Sequence, residues 1–584
     1  MRTYNNIHQA EKPKSFTDIR DLFRSSAQVF GDKVQYFYRD DALVREFTYN
    51  DFWSTMREFG TALFDRGLSN AHVAVVGDTH PYWVTTFTSV ISTGGVIVPL
   101  DHELDIDEMI NFMRRAECTA VVYTGSMNGR LTSRMNELPF IKYFIPISPA
   151  GEDFSGGRVM SYEDFLTEGR AKLEAGDTRF EDHEISMDEM CAILFTSGTT
   201  GSSKGVMLSH RNLTAAADAA CRATRFDRNS RFVSVLPIHH TYELTCAHLA
   251  HGNLGCTSYI NESLRYATRN FKEFKPNSLI LVPLFLETIH RKIWDEIRKK
   301  KMEKKVRSAM AIALTLLKTG VDVREKMFSE ITAAFGGKLK YIIVGGAPID
   351  PQIIKDFYAF GITICQGYGI TECSPLVAVN RPGAVKFDSV GQVVDNCEVR
   401  IDPVDGCSQG EGEIVVRGQN VMLGYYRDAD ATRRAFTEDG WFRTGDIGTV
   451  DRHGYITITG RKKNIIIASN GKNVFPEELE ERLARLPEVR ESVVLSREGE
   501  NGVTIVAIIV PEIAEDSDYS ALSERIKEGI AKINRSLPSY KHIGKFEIRS
   551  EEFEKTPSKK IKRFVGLSMI CYIVLQKIIE SSLG

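Results

Sequence analysis

Apolar positions in this chain alternate between two spacings. From Phe47 onward a helical period over Tyr49 to Phe64 gives way to the continuous apolar run Val73 to Val76, then a helical period around Trp83 to Ile91 and the run Val96 to Leu100. A helix over Glu108 to Arg115 and the run Ala120 to Tyr123 repeat the theme. Short apolar runs alternating with helices predict βαβ units and a mostly parallel sheet covered by helices. Further strands are predicted at Cys191 to Phe195, at the approach to Ser234, at the start of Ser278 to Glu287, over Tyr341 to Val344 and over Ile362 to Cys365, with one long helix from Thr288 to Gly320. After Asp388 the pattern shifts to shorter strands and turns, such as Val399 to Ile401 and Gly412 to Val416. Near the end, Asn464 to Ile467, Val493 to Leu495 and Val503 to Pro511 read as strands, and Glu477 to Leu486 as a helix with Pro476 at its start.

Composition narrows the class. With 584 residues, 42% of them hydrophobic and 26% charged, the chain exceeds the size at which a single core stops growing and is expected to hold more than one domain. A formal charge of −3 argues against nucleic acid as a partner. The ten cysteines are scattered, with no C-x-x-C pair and no Cys/His cluster at metal spacing, so neither a zinc site nor a disulfide framework is expected. The N-terminus has no apolar h-region, which leads to the expectation of a cytoplasmic chain. At the other end, Phe564 to Leu575 is an apolar run shorter than the ~20 residues a membrane span needs. A docked helix, an oligomer contact such as a homodimer, or an interfacial anchor would each account for it.

The chemistry concentrates in Thr196-Ser197-Gly198-Thr199-Thr200-Gly201-Ser202-Ser203-Lys204-Gly205, which follows the predicted strand at Cys191 to Phe195. Glycines allow the backbone to turn tightly and present N–H groups to an anion, and hydroxyls and an ammonium are suited to phosphate oxygens. The loop is therefore expected to hold phosphate. It is not a Walker A loop, because Ser203 rather than glycine precedes Lys204. A flexible Ser/Gly linker has similar composition, but a strand before it and the apolar-then-polar run Val206 to His210 after it argue otherwise. Two adjacent glycines in Gly345-Gly346-Ala347-Pro348, at the C-terminal end of a predicted strand, leave bare backbone for a flat ligand.

The Thr196 to Lys204 loop resembles the AMP-binding signature of the adenylate-forming superfamily, which includes acyl-CoA synthetases, peptide-synthetase adenylation domains and luciferases. Four further motifs in the same order extend the resemblance over Asp21 to Arg563: Gly345 to Pro348, Gln366 to Glu372, Gly440 to Asp446 with Gly454 to Lys463, and Lys555 to Ile561. What it implies is an α/β fold with a large N-terminal domain, residues 1–460, of helix-covered, mostly parallel sheets plus a β subdomain, and a small mobile α+β C-terminal domain, residues 461–563; the apolar tail, residues 564–584, is an addition. It implies ATP and AMP, Mg²⁺ and coenzyme A as cofactors. Thr196, Ser197, Gly198, Thr199, Thr200, Gly201 and Lys204 would bind phosphate; Gly345, Gly346, Ala347, Pro348, Gly367, Tyr368 and Gly369 would form the adenine site, with Tyr368 stacking. Thr371 would donate to phosphate, Glu372 would ligate Mg²⁺, and His240 would lie where acyl group and adenylate meet. Asp446 would take the ribose hydroxyls, Arg461 ribose or phosphate, Lys463 the hinge, Gly471 the pantetheine path, and Lys560 adenylation. The last motif departs from the family at Lys559, where glycine is usual, and at Glu554, where proline is frequent.

The expected activity is ATP-dependent activation of a medium- or long-chain fatty acid to acyl-AMP, then transfer to coenzyme A. The Ser234 to Glu243 stretch offers only Glu243 where an amino-acid-specific relative would place an aspartate for the substrate ammonium. The dense basic run Arg291 to Arg307 is ordinarily a solvated helix face; the sharper reading is peripheral contact with anionic membrane, where fatty acids are delivered. An acyl-carrier-protein synthetase and a degenerate acyl-binding protein are the alternative readings.

Overall fold

The computed structural model describes residues 13–40, 43–148, 157–196, 203–468, 472–499, 502–512, 519–555 and 561–563. Ser197 to Gly201, Gly471, Lys559, Lys560 and the tail 564–584 lie outside the described residues. The chain divides into two compact units: the described parts of Met1–Val399, Val416–Phe442 and Asp451–Ile456 form the first, and those of Arg400–Val415, Arg443–Val450 and Thr457–Gly584 the second.

The first unit is mixed α/β. Its largest complete sheet has the predicted parallel runs at its heart, His72–Val76 flanked by Val96–Leu100 and Ala120–Tyr123, with Met190–Thr196 parallel to Val96–Leu100. Val73 to Val76 and Ala120 to Tyr123 are fully buried, which is why they read as unbroken apolar runs: helices cover both faces of a parallel sheet. Each such valine contributes about 1.5–3 kcal/mol relative to an exposed one. Met190–Thr196 then pairs antiparallel with Lys204–Ser209. In a second sheet Ser278–Leu281, Tyr341–Val344 and Thr363–Gly369 run parallel, continued by antiparallel Leu376–Val379 and Gly391–Val393. A four-stranded sheet of Val34–Asp40, Leu43–Thr48, Arg231–Ser234 and Thr257–Ile260 completes the unit.

The helices form where their caps say they should. Thr48 and Asp51 make a capping box before Tyr49–Asp65, and Ser209 and Asn212 make another before His210–Ala223. Asn212 also donates at 2.8 Å to the carbonyls of Gln419 and Val421, fastening that helix to a segment far along the chain.

Two expectations are corrected, the first in this unit. The single long helix over Thr288 to Gly320 is two helices, Pro283–Lys299 and Glu303–Lys318. Lys301 takes a left-handed backbone, φ 55°, and the Met302 N–H closes on the Ile297 carbonyl at 3.0 Å, a helix-terminating pattern without the usual glycine. The second helix instead begins where Val306, Ala309, Met310 and Ala313 can pack on the unit's core.

In the second unit, Val489–Gly499, Gly502–Pro511 and Ile543–Ile548 form a three-stranded sheet against Pro476–Leu483 and Tyr519–Arg535, around Val494, Ala507, Ile509, Leu522 and Ile526. The strand expected from Asn464 is shorter: Lys462–Asn464 is a helical turn and only Ile466–Ile467 pairs, with Asn473–Val474.

Candidate active site

The first unit gathers three predicted motifs at the C-terminal ends of its parallel strands, where open α/β sheets bind ligands. Thr196 ends one strand and Lys204 opens the next, paired across the loop that joins them. Phe195 stacks on Phe112 at 4.2 Å between centroids, the Arg115 guanidinium lies 5.2 Å over the Phe195 ring, and Arg115 donates at 2.8 Å to the Ser203 carbonyl, so the residues flanking the loop are held together.

Gly345 and Gly346 follow the strand Tyr341–Val344; Gly346 has φ 88°, which favours glycine. Gly367, Tyr368 and Gly369 complete the neighbouring strand, and a Cβ at Gly369 would stand 2.1 Å from the Pro375 carbonyl. These five residues line one cavity of about 610 Å³ of empty space, open solvent at its mouth included. Its remaining wall is mostly apolar, with Ala223, Phe226, Ile280, Ile343, Leu376 and Val379 among it and Thr224, Tyr242 and Cys246 beside them. The helix His210–Ala223 delivers its last turn there, and its capping box sets where that turn falls. Ala347 is half-buried and Pro348 exposed just beyond the cavity-lining glycines.

Thr371 and Glu372 sit in the turn Thr371–Cys373. The Tyr425 hydroxyl donates to Glu372 Oε1 at 3.0 Å, and the Met422 N–H holds the Glu372 carbonyl at 2.8 Å. Burial first, and then the adjacent Glu372 charge, push the Tyr425 phenol well above its ordinary pKa, so it remains a donor. The ring also carries the Lys204 ammonium, 4.7 Å from its centroid. Tyr425 reaches this place because Gly424–Tyr425 adds to the sheet antiparallel to Val206 and Met207. Sequence reading missed it: a tyrosine after a glycine, more than two hundred residues from the loop, carries no local mark of this contact.

His240 is exposed at the start of the short helix Thr241–Glu243, its ring 4.2 Å from that of His239. His239 is nearly buried, 3.6 Å from the Asp101 carboxylate. Burial, then the neighbouring His240 and His102, hold its pKa well below the usual imidazole value. Glu243, the acidic residue of this stretch, is fully buried and accepts a hydrogen bond from Ser234 Oγ. Burial pushes its carboxyl up to about 8 and the Ser234 bond only partly offsets this. A carboxyl that stays neutral at pH 7 is unsuited to pair with a substrate ammonium.

In the second unit Asp446 is buried and its Oδ1 accepts from Arg461 Nε at 2.8 Å. The strand segment carrying it is held by Thr444, whose hydroxyl donates to the Ile414 carbonyl at 2.7 Å and accepts from the Asp446 N–H at 3.0 Å. Beside it the buried Glu413 takes Lys462 at 2.7 Å and Arg443 at 3.3 Å. Lys463 follows in the turn Lys462–Asn464, its pKa lowered by burial first and then by Arg461 and Arg563. The structure thus brings Thr196, Lys204, Gly345, Gly346, Gly367, Tyr368, Gly369, Thr371, Glu372 and His240 into the first unit, and Asp446, Arg461 and Lys463 into the second.

Comparison with known proteins shows which family the chain belongs to. The family model described as AMP-binding enzyme matches residues 23–426, and the AMP-binding enzyme C-terminal domain matches 478–560. Among curated proteins the chain is 28% identical to a chloroplastic long-chain-fatty-acid–[acyl-carrier-protein] ligase of Arabidopsis thaliana, over 93% of this chain and 84% of that protein. It is 26% identical to a long-chain-fatty-acid–CoA ligase of Mycobacterium tuberculosis, over 91% of this chain and 92% of that one. Among solved structures it superposes on an anthranilate CoA ligase in complex with anthranoyl-AMP with a TM-score of 0.73 at 19% identity, covering 95% and 97% of the two chains. ATP-bound MatB from Rhodopseudomonas palustris gives 0.70 at 23% identity, covering 94% and 98%.

Proposed function

Because the chain belongs to the AMP-binding enzyme family, we propose that it is an AMP-forming acid–thiol ligase that activates a medium- or long-chain fatty acid and passes the acyl group to coenzyme A. The observation that supports an apolar acid is the apolar part of the cavity wall, Ala223, Phe226, Ile280, Ile343, Leu376 and Val379, beside the glycine turns that would take adenine. The activities named for the relatives point the same way.

In the first half-reaction a carboxylate oxygen bonds to the α-phosphorus of ATP, the bond to the bridging oxygen breaks, and pyrophosphate leaves with the electron pair. The chain's part is stabilising charge on phosphoryl oxygens and holding the reactants in line. That role falls to the loop from Thr196 through Ser197, Gly198, Thr199, Thr200 and Gly201 to Lys204, to the Thr371 hydroxyl and to Lys560. Tyr368 and the Gly345 to Pro348 turn take adenine, Asp446 and Arg461 the ribose, and His240 the acyl–phosphate junction. Glu372 is the residue that would hold Mg²⁺, which when bound neutralises charge on the ATP phosphates. A single carboxylate fits that ion, since magnesium keeps several waters and substrate oxygens as its other ligands, and the Tyr425 bond orients the group.

In the second half-reaction the thiol sulfur bonds to the acyl carbon, AMP leaves with the electron pair, and the thiol proton passes to solvent. Gly471 would line the pantetheine path and Lys463 the hinge between the two half-reactions. A carrier-protein thiol is the second reading of the acceptor, favoured by the acyl-carrier-protein ligase among the relatives. Among the described residues no helix is long and apolar enough to cross a membrane. The exposed Lys299, Lys300, Lys301, Lys304 and Lys305 around the break between the two basic helices support peripheral contact with anionic lipid, checked by vesicle co-sedimentation that weakens with salt.

The deciding experiment is carboxylate-dependent pyrophosphate release from Mg-ATP across acids from acetate to oleate, with and without coenzyme A. A peak at a fatty acid that needs coenzyme A is expected. Release indifferent to coenzyme A favours a carrier-protein acceptor, and no release with any acid favours a non-catalytic acyl-binding protein. Lys560→Ala is expected to abolish adenylation while leaving thiolysis of supplied acyl-AMP largely intact.

A further inference from the structure

The segment that carries Lys560 has two described flanks, residues 552–555 before it and 561–563 after it, and the second unit fastens both. The flanks first close on each other. Lys555 and Ile561 form an antiparallel bridge, and the Lys562 N–H donates to the Glu554 carbonyl at 2.8 Å. Phe553 and Ile561 then pack on Val493, Ile508 and Val510, which seats this closure on the three-stranded sheet.

An ion pair holds each flank to the same body. Before the segment, the Lys555 ammonium pairs with Glu491 on the strand Val489–Gly499 and lies 3.0 Å from Glu552, while Glu491 also accepts the Phe553 N–H at 3.2 Å. After it, the Arg563 guanidinium pairs with Glu480 of the helix Pro476–Leu483, lies 3.6 Å from Glu477, and donates to the Val494 carbonyl at 3.3 Å. Glu480 is fixed in turn by the Val494 N–H, which donates to its Oε1 at 2.6 Å. The four paired side chains are withdrawn from water: Glu491 is 11% exposed, Glu480 17%, Arg563 22% and Lys555 27%. For such a pair desolvation offsets much of the attraction, so it adds little net stability, yet removing one partner leaves the other penalised. Its main effect is to fix a place. The core of the unit, around Val494, Ala507, Ile509, Leu522 and Ile526, is apolar and does not depend on either pair.

We infer that Glu480 and Glu491 are positioning residues for the adenylation half-reaction: through Arg563 and Lys555 they hold both flanks of the Lys560 segment, and so set the point of the second unit at which the lysine is presented. This rests on the ligase reading above and deepens it. Neither carboxylate touches a reactant.

Burial pushes the Glu480 carboxyl up to about 7, offset only in part by Arg563 and the Val494 N–H, so the test is run at about pH 8, where the group is charged. Glu480→Gln keeps an acceptor for the Val494 N–H and removes the charge. It is expected to lower kcat for pyrophosphate release on the order of 10²-fold while KM for ATP moves less than about threefold, as misplacement of a catalytic group does. Thiolysis of supplied acyl-AMP, which does not use Lys560, should change less than about twofold in the same preparation, and the double variant with Arg563→Gln should match Arg563→Gln alone within about twofold. Glu491→Gln should show the same split between half-reactions. Equal loss in both half-reactions overturns the inference, by making the pairs elements of the fold alone, and so does unchanged pyrophosphate release. Hydrogen exchange reads the anchoring without turnover: peptides covering 552–563 should exchange about tenfold faster in Glu480→Gln while those of Gly502–Pro511 do not change, and unchanged exchange at 552–563 overturns the inference. If the wild type releases no pyrophosphate with any acid but exchange quickens in the variant, the ligase reading fails and the anchoring of the segment stands.

Discussion

Two carboxylates, Glu372 in the first unit and Asp446 in the second, are held by opposite kinds of partner. Glu372 is half-buried, and the group that holds it is neutral: a phenol hydroxyl at 3.0 Å. Among the described residues it has no ion-pair partner, so its charge remains to be satisfied by something that arrives. Asp446 is deeply buried at 4% side-chain exposure, and its charge is already met by Arg461 at 2.8 Å. It can accept hydrogen bonds but has little attraction left for a cation. The difference teaches that the partner, as much as the carboxylate, sets what charge is left over: a hydroxyl offsets none of it, whereas a guanidinium neutralises it, which fits the metal and ribose roles proposed above.

The largest expected break in this comparison is Glu372→Gln. It should lower pyrophosphate release on the order of 10² to 10³-fold with little change in thermal stability, and a Mg²⁺ titration that moves by less than tenfold would contradict the metal assignment. Tyr425→Phe removes only the hydroxyl that aims Glu372, so the Mg²⁺ needed for half-activation should rise by about 10–100-fold while ATP affinity at saturating metal changes less. Asp446→Asn should leave the Mg²⁺ requirement alone, weaken ATP binding measured by calorimetry, and cost about 1 kcal/mol of stability, the low end because Arg461 is 40% exposed to solvent.

A third carboxyl sharpens the contrast because burial, and not its one hydroxyl partner, decides its charge. Glu243 is buried beside Ser234, with His248 Nε2 3.8 Å from its Oε1 and held neutral by burial that pushes the imidazole down to about 3. Because the folded pKa of about 8 exceeds the ordinary value of 4.5, the folded state keeps a proton that the unfolded chain releases. Stability should be greatest below about pH 4.5 as far as this group is concerned, and fall as pH rises toward 8. Denaturation midpoints of Glu243→Gln across that window should show a flatter profile than the wild type; parallel profiles would mean that the carboxyl is not the source of the slope.

Much of this was readable before any coordinates. The runs Val73 to Val76 and Ala120 to Tyr123 announce parallel strands because both faces are buried, and glycines at Gly345 and Gly346 announce a turn that backbone geometry demands. The break at Lys301 was not readable, since it follows from a left-handed lysine and from where the second helix finds apolar partners, and no glycine marks it. Nor was Tyr425, whose hydroxyl meets Glu372 only because a two-residue strand docks on Val206 and Met207. Local order along the chain thus settles the elements, their sequence and the residue types able to hold phosphate, metal and ribose, because those depend on spacing and side-chain chemistry. Which carboxyl is met by a guanidinium, which by a hydroxyl and which is driven neutral depend on burial and on contacts between segments distant in sequence, and these come into being only when the sheets assemble.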